Sequence, residues 1–156
     1  MQRPVTRRLP IDTLRNAQTL ARRAHASQID KAGQPYIGHV ARVAARVQGD
    51  ADAEAVAWLH DVVEDCPAFS AEVATFPAHI RAAVACLTRR KDLPADDYYA
   101  AIRANPLALK VKLADIADNS DPARLRYLPA DVQQRLADKY AHALRALGAA
   151  PPSVRA

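Results

Sequence analysis

The chain has 156 residues, 50% apolar and 25% charged, and carries a formal net charge of +5. That length fits a single domain, and the apolar share excludes a disordered chain. Two cysteines, Cys66 and Cys86, are too few for a disulfide framework and match no zinc spacing, so both are expected to be buried thiols.

Helical periodicity runs through the sequence, broken by Pro, Gly and Asp, and no strand pattern interrupts it. A first helix is expected over Ile11–Ser27, with Asp12 able to cap it and Leu14, Ala17, Ala21 and Ala24 on one buried face. DKAGQP breaks it, and a second helix starts at Tyr36 after Pro35, with Val40, Val43 and Val47 in one stripe. Gly49 and Asp50 lead into a third from Ala51 to about Asp65. Ser70 is placed to cap a short turn through Phe76, and Pro77 suits the first turn of a helix ending near Thr88. After the KDLPA loop, one helix starts at Asp96 and stops before Asn105 and Pro106, another runs to about Asp118, and the last covers Ala130–Leu147. The pattern predicts an all-α bundle of about eight helices, a single domain over residues 1–150 and a flexible tail at 151–156.

No segment holds the roughly 20 consecutive apolar residues that span a bilayer, and the basic start MQRPVTRRLP lacks the apolar run of a signal peptide. A cytoplasmic protein with no membrane partner is expected. Its 22 Lys and Arg are scattered among acidic residues and its aromatic share is 5%, which argues against a nucleic-acid platform. A small polyanion suits the charge. Oligomeric state is left open.

Ionisable residues concentrate in three places. On the third expected helix, advancing about 100° per residue from Leu59 puts His60, Asp61, Glu64 and Asp65 on the face opposite Ala55, Val56 and Val62. By charge spacing alone a solvated acidic face is the favoured reading. After Pro106, Lys112, Asp115 and Asn119 stand at i, i+3 and i+7, a polar row beside apolar Leu109, Leu113 and Ile116. This row fits a cleft wall or an exposed ion pair with a capping amide. His39 shares its face with Arg42 and Arg46, whereas His25, His79 and His142 have no partner at metal-ligand spacing and are expected to be structural. Two imidazoles and two carboxylates would together suit Mn²⁺, Fe²⁺ or Zn²⁺.

Three segments, HASQIDKAGQPYIGHV, AWLHDVVED and KVKLADIADN, occur in this order over roughly Ala21–Leu128. The set resembles the motifs of the HD-domain (p)ppGpp 3′-pyrophosphohydrolases of the RelA/SpoT type, and most of all their small stand-alone branch. The resemblance implies a compact HD-domain bundle holding a divalent metal, most often Mn²⁺, by His39, His60, Asp61 and Asp115. It implies that Glu64 and Asp65 activate water and protonate the leaving group, that Asn119 lines a nucleoside pocket and that Lys31 lies near the substrate phosphates. Arg42 and Lys112, on the faces of His39 and Asp115, are added as substrate contacts. Asp30 stands where the long enzymes carry arginine, and Pro122 where they carry threonine. The expected activity is removal of the 3′-diphosphate of (p)ppGpp, without synthesis, since the remaining residues leave no room for a synthetase domain. Alternatives are the same chemistry on ppApp or NADPH, and a non-catalytic metal-containing nucleotide sensor.

Overall fold

The computed structural model describes residues 10–149, so the basic start of the chain and the expected tail at 151–156 lie outside the described residues. The helices are α1 Pro10–Ala24, α2 Tyr36–Arg46, α3 Ala51–Leu59, α4 Val62–Asp65, α5 Ser70–Val73, α6 Ala78–Leu87, α7 Ala95–Ala104, α8 Pro106–Asn119, α9 Pro122–Leu125 and α10 Ala130–Ala146. A 3₁₀ turn spans Pro67–Phe69. Among the described residues there is no strand, only an isolated antiparallel bridge between Ile29 and Pro35. No described helix is long and apolar enough to cross a membrane. The all-α expectation holds, and the count exceeds eight because α4, α5 and α9 are four-residue turns.

Local chemistry sets the helix starts. Asp50 opens α3 by accepting from the Ala53 N–H at 3.1 Å, and Asn105 opens α8 by accepting from Ala108 N–H at 3.0 Å. Asp121 does the same for α9 through Ala123 N–H at 2.9 Å. Ser70 makes no capping bond and is itself the first residue of α5, behind Phe69.

At the centre lies α3, packed against α1, α2, α6 and α8. Ala53, Ala55, Val56, Ala57, Trp58 and Leu59 are all buried, so α3 is enclosed on every side from Ala55 onward. A 15-residue amphipathic helix was expected here, and two of its features are corrected. The helix stops at Leu59 and resumes at Val62, and its polar face is divided, with His60 buried at 3% exposure while Glu64 and Asp65 are exposed. The break has a local cause. The His60 Nδ1–H donates to the Ala57 carbonyl, which a continuous helix would offer to the Asp61 N–H four residues on. Asp61 then starts α4 by accepting from Asp65 N–H at 2.9 Å.

Some side chains depart from expectation. Cys66 and Cys86 are both half-buried, because Cys66 follows the short α4 and Cys86 lies on the outer part of α6. His79 has an acidic partner after all, an exposed Asp52 at 3.2 Å. His25 is buried, with Nδ1 2.7 Å from Gln28 Oε1, and His142 packs its ring against Tyr99.

Candidate metal centre and adjoining cavity

Three elements meet at one point. His39 comes from α2, His60 and Asp61 from the α3–α4 break, and Asp115 from α8, and one nitrogen or oxygen from each lies within 4.8 Å of all the others. Breaking the helix at His60 and Asp61 lets consecutive residues aim at the same place, which an unbroken helix would turn about 100° apart.

Both imidazoles have a defined orientation. His39 Nδ1 lies 2.7 Å from Asp118 Oδ2, and His60 Nδ1 is bonded to the Ala57 carbonyl. In each case the Nδ1–H is donated outward, which leaves Nε2 with its lone pair toward the cluster. The His39 and His60 Nε2 atoms are buried and make no hydrogen bond. Carboxylate oxygens stand 3.0 Å away, Asp115 Oδ1 from His39 and Asp61 Oδ2 from His60, but off the hydrogen-bonding direction. Buried acceptors without donors, ringed by two carboxylates, are the donor set of a divalent-cation site. The residues present therefore fit a divalent metal.

Electrostatics agree with that reading. Burial opposes charge on His39 and His60, yet the neighbouring carboxylates outweigh it and both imidazoles are held above their ordinary pKa. Burial likewise opposes ionisation of Asp115, but His39, His60 and Lys112 hold it well below the carboxylate range. Without a cation, the imidazoles take up the positive charge that the carboxylates require.

The polar row on α8 has a definite use. Asp115 accepts from Lys112 Nζ at 3.2 Å and from Asn119 Nδ2 at 3.1 Å, so its neighbours one turn away on either side fix both oxygens. Lys112, expected as a substrate contact, is placed instead against Asp115 and over the Tyr98 ring. Tyr36, at the start of α2, donates its hydroxyl to Asp61.

Beside the cluster opens a cavity of about 730 Å³, lined by the 28–38 segment, Arg42, Asp65, Asn119, the α9 region and α10. Tyr36 and Asn119 connect cavity wall and metal cluster, since they line the first and bond Asp61 and Asp115 in the second. Lys31, Arg42, Asn119 and Asp65 are thus brought to one cavity. Asp65 accepts from Gln28 at 3.1 Å, and Glu64 accepts from the Arg89 N–H beyond the cavity lining. Burial and the nearby Asp61 and Asp65 carboxylates push the Glu64 carboxyl above its ordinary value. Arg46 lies outside this lining, paired with Asp121 at 3.6 Å.

Sequence reasoning missed Asp118. It is 1% exposed and accepts from His39, from Arg42 at 2.9 Å and from Arg124 at 2.8 Å. Its position one turn beyond Asp115 was a usable signal. Arg124, Lys139 and Tyr140 were also missed as cavity residues because they come from helices remote in sequence. Asp30 does not face the cavity as a free charge. Its Oδ1 accepts from Ala32 N–H and Gln34 N–H, both at 2.9 Å, and its Oδ2 pairs with Arg124 at 3.2 Å.

No family model matches the chain. Among curated proteins it is similar to a guanosine-3′,5′-bis(diphosphate) 3′-pyrophosphohydrolase of Vibrio cholerae, 32% identical over 81% of this chain and 20% of that protein. The bifunctional (p)ppGpp synthase/hydrolase SpoT of Escherichia coli shows the same 32% identity over 81% and 20%. The chain thus spans about a fifth of the length of these relatives. A solved structure, described as a metazoan ortholog of SpoT that hydrolyses ppGpp, superposes with a TM-score of 0.69 at 22% identity, covering 94% of this chain and 88% of that one. Over 81% of its length the chain is thus similar in sequence to these 3′-pyrophosphohydrolases, and over 94% of it the fold is that of the metazoan SpoT ortholog.

Proposed function

We propose that the chain hydrolyses the 3′-diphosphate of (p)ppGpp, releasing pyrophosphate and leaving GDP or GTP. The observation that carries this reading is the convergence of His39, His60, Asp61 and Asp115, with two buried Nε2 atoms free of hydrogen bonds, beside a cavity large enough for a nucleotide. Names of the relatives supply the substrate class. Mn²⁺ is the proposed ion, in keeping with the mixed nitrogen and oxygen donors. A cytoplasmic setting is proposed with it.

In this reading a water oxygen forms a bond to the phosphorus carried on the ribose 3′-oxygen, the bond from phosphorus to that oxygen breaks, and the 3′-oxygen receives a proton. A bound divalent ion supplies Lewis acidity toward the phosphoryl group and toward water. The chain's own residues do the rest. Asp118 and the Ala57 carbonyl orient the two imidazoles, Lys112 and Asn119 orient Asp115, and Tyr36 orients Asp61. Glu64 and Asp65 are the proposed proton carriers, Asp65 being held toward the cavity by Gln28. Lys31 and Asn119 are proposed to bind the nucleotide directly, and Arg42 to border it from the same wall while paired with Asp118.

The deciding experiment supplies Mn²⁺ and offers ppGpp, ppApp and NADPH separately, with product identification. Pyrophosphate and GDP from ppGpp support the proposal. Turnover of ppApp or NADPH alone would move the substrate, and metal-loaded protein that binds ppGpp without cleaving it would make the chain a sensor.

A further inference from the structure

Among the described residues four cations line the cavity, and they are of two kinds. Arg42 is committed to Asp118 at 2.9 Å, and Arg124 to Asp118 at 2.8 Å and Asp30 at 3.2 Å. These guanidiniums hold the walls together, joining α2, α8 and the loop that carries Asp30. Lys31 and Lys139, by contrast, are exposed and form no ion pair or side-chain hydrogen bond among the described residues. Asp30 leaves them un-neutralised, because both its oxygens are taken by its own turn and by Arg124. Lys139 lies on α10 with its ammonium 5.5 Å from the Tyr140 ring centre, while Lys31 lies on the turn before α2. Burial lowers the Lys139 pKa, and the like charges of Lys31 and Lys112 lower it further. Two unpaired like charges facing one space favour an anion between them.

A phosphate held there is a different group from the one at the metal cluster. None of the four cluster residues lines the open cavity; Tyr36 and Asn119 stand between.

We propose that Lys139 and Lys31 form a two-walled clamp for the 5′-phosphates of a nucleotide whose 3′-diphosphate lies at the His39–Asp115 cluster, so that the site selects nucleotides phosphorylated at two separate positions. The inference rests on the hydrolase reading and adds Lys139 as its specificity-determining residue.

The test combines two measurements on Lys139→Ala, Lys139→Arg and wild type. Calorimetric binding of GDP and of guanosine is measured with chelator present, where no hydrolysis occurs. KM and kcat with Mn²⁺ are measured for ppGpp and for guanosine 3′-diphosphate, which has a free 5′-hydroxyl. A lost charge-assisted contact predicts roughly ten- to hundredfold weaker GDP binding in Lys139→Ala and a similar rise in KM for ppGpp. Guanosine binding, kcat and KM for guanosine 3′-diphosphate stay near wild type, and Lys139→Arg recovers most of the loss. Unchanged GDP binding in Lys139→Ala overturns the clamp. So does an equal loss of GDP and guanosine, which marks a structural role. If GDP binding depends on Lys139 while wild type leaves ppGpp intact, the hydrolase reading fails and the clamp stands.

Discussion

Asp118 shows how much a single buried carboxylate does without touching the point where the cluster residues converge. It holds the His39 ring through Nδ1 and gathers Arg42 and Arg124 from two other segments. Partners of this kind typically set metal affinity within 10–100-fold. Asp118→Ala is therefore expected to weaken Mn²⁺ binding by roughly that factor, with helical content retained, as a metal titration with parallel circular dichroism would show. Wild-type affinity would mean that His39 keeps its orientation unaided. Glu64 plays a different part, being neither a cluster member nor buried. Glu64→Gln keeps an acceptor for the Arg89 N–H but cannot carry a proton. Turnover should fall roughly 10²-fold with metal content unchanged, and near-normal turnover would reduce Glu64 to a brace for the loop after α6.

At the scale of elements, the cavity depends on a turn with little packing of its own. Residues 28–35 are closed by the Ile29–Pro35 bridge, by the two bonds to Asp30 Oδ1, and by Gly33 at φ +80°. A Cβ at Gly33 would meet nothing within 4 Å, so the cost of Gly33→Ala is the left-handed backbone alone, about 1–2 kcal/mol. Chemical denaturation should show a loss of about that size. The same variant should raise KM for ppGpp, because the turn carries Lys31 and, through Asp30, is tied to Arg124. Stability equal to wild type would show that the turn adopts another form at no cost.

For the whole molecule, metal and protons compete for the same atoms. The folded-state pKa values of His39 and His60 are raised above 6.5, so in metal-free protein the stability they contribute is complete below pH 6.5 and is lost as pH rises through the raised values. Asp115 is depressed below 3.8, so its contribution is present above pH 3.8 and is lost as pH falls through the depressed value. With chelator, stability should peak between these two limits, in weak acid. Metal binding requires both imidazoles neutral, so the stabilisation by Mn²⁺ should grow from about pH 6 to about pH 8. Thermal melts with Mn²⁺ and with chelator across that range test this; a difference independent of pH would mean that the imidazoles are not the competing groups.

Much of the architecture was written in local pattern. The starts of α2 and α8 followed from Pro35 and Asn105-Pro106, the Val40–Val43–Val47 stripe is buried as expected, and the order of the His-Asp motifs pointed to the cluster. These features depend on neighbours within a turn or two, which periodicity and capping report directly. The break at His60 did not follow from pattern, because it needs an imidazole turned back onto Ala57 at the buried end of α3. Nor did the roles of Asp118 and Arg124, whose partners lie up to 94 residues away, or the place of Lys139 on the cavity wall. Sequence by itself determined most of the longer helices and, through its motifs, which residues to expect as metal donors. Which carboxylate backs His39, which arginines are committed and which lysines stay free was decided only when α2, α8, α9 and α10 closed around one cavity, because charge pairing at 3 Å is a property of packed surfaces and not of spacing along the chain.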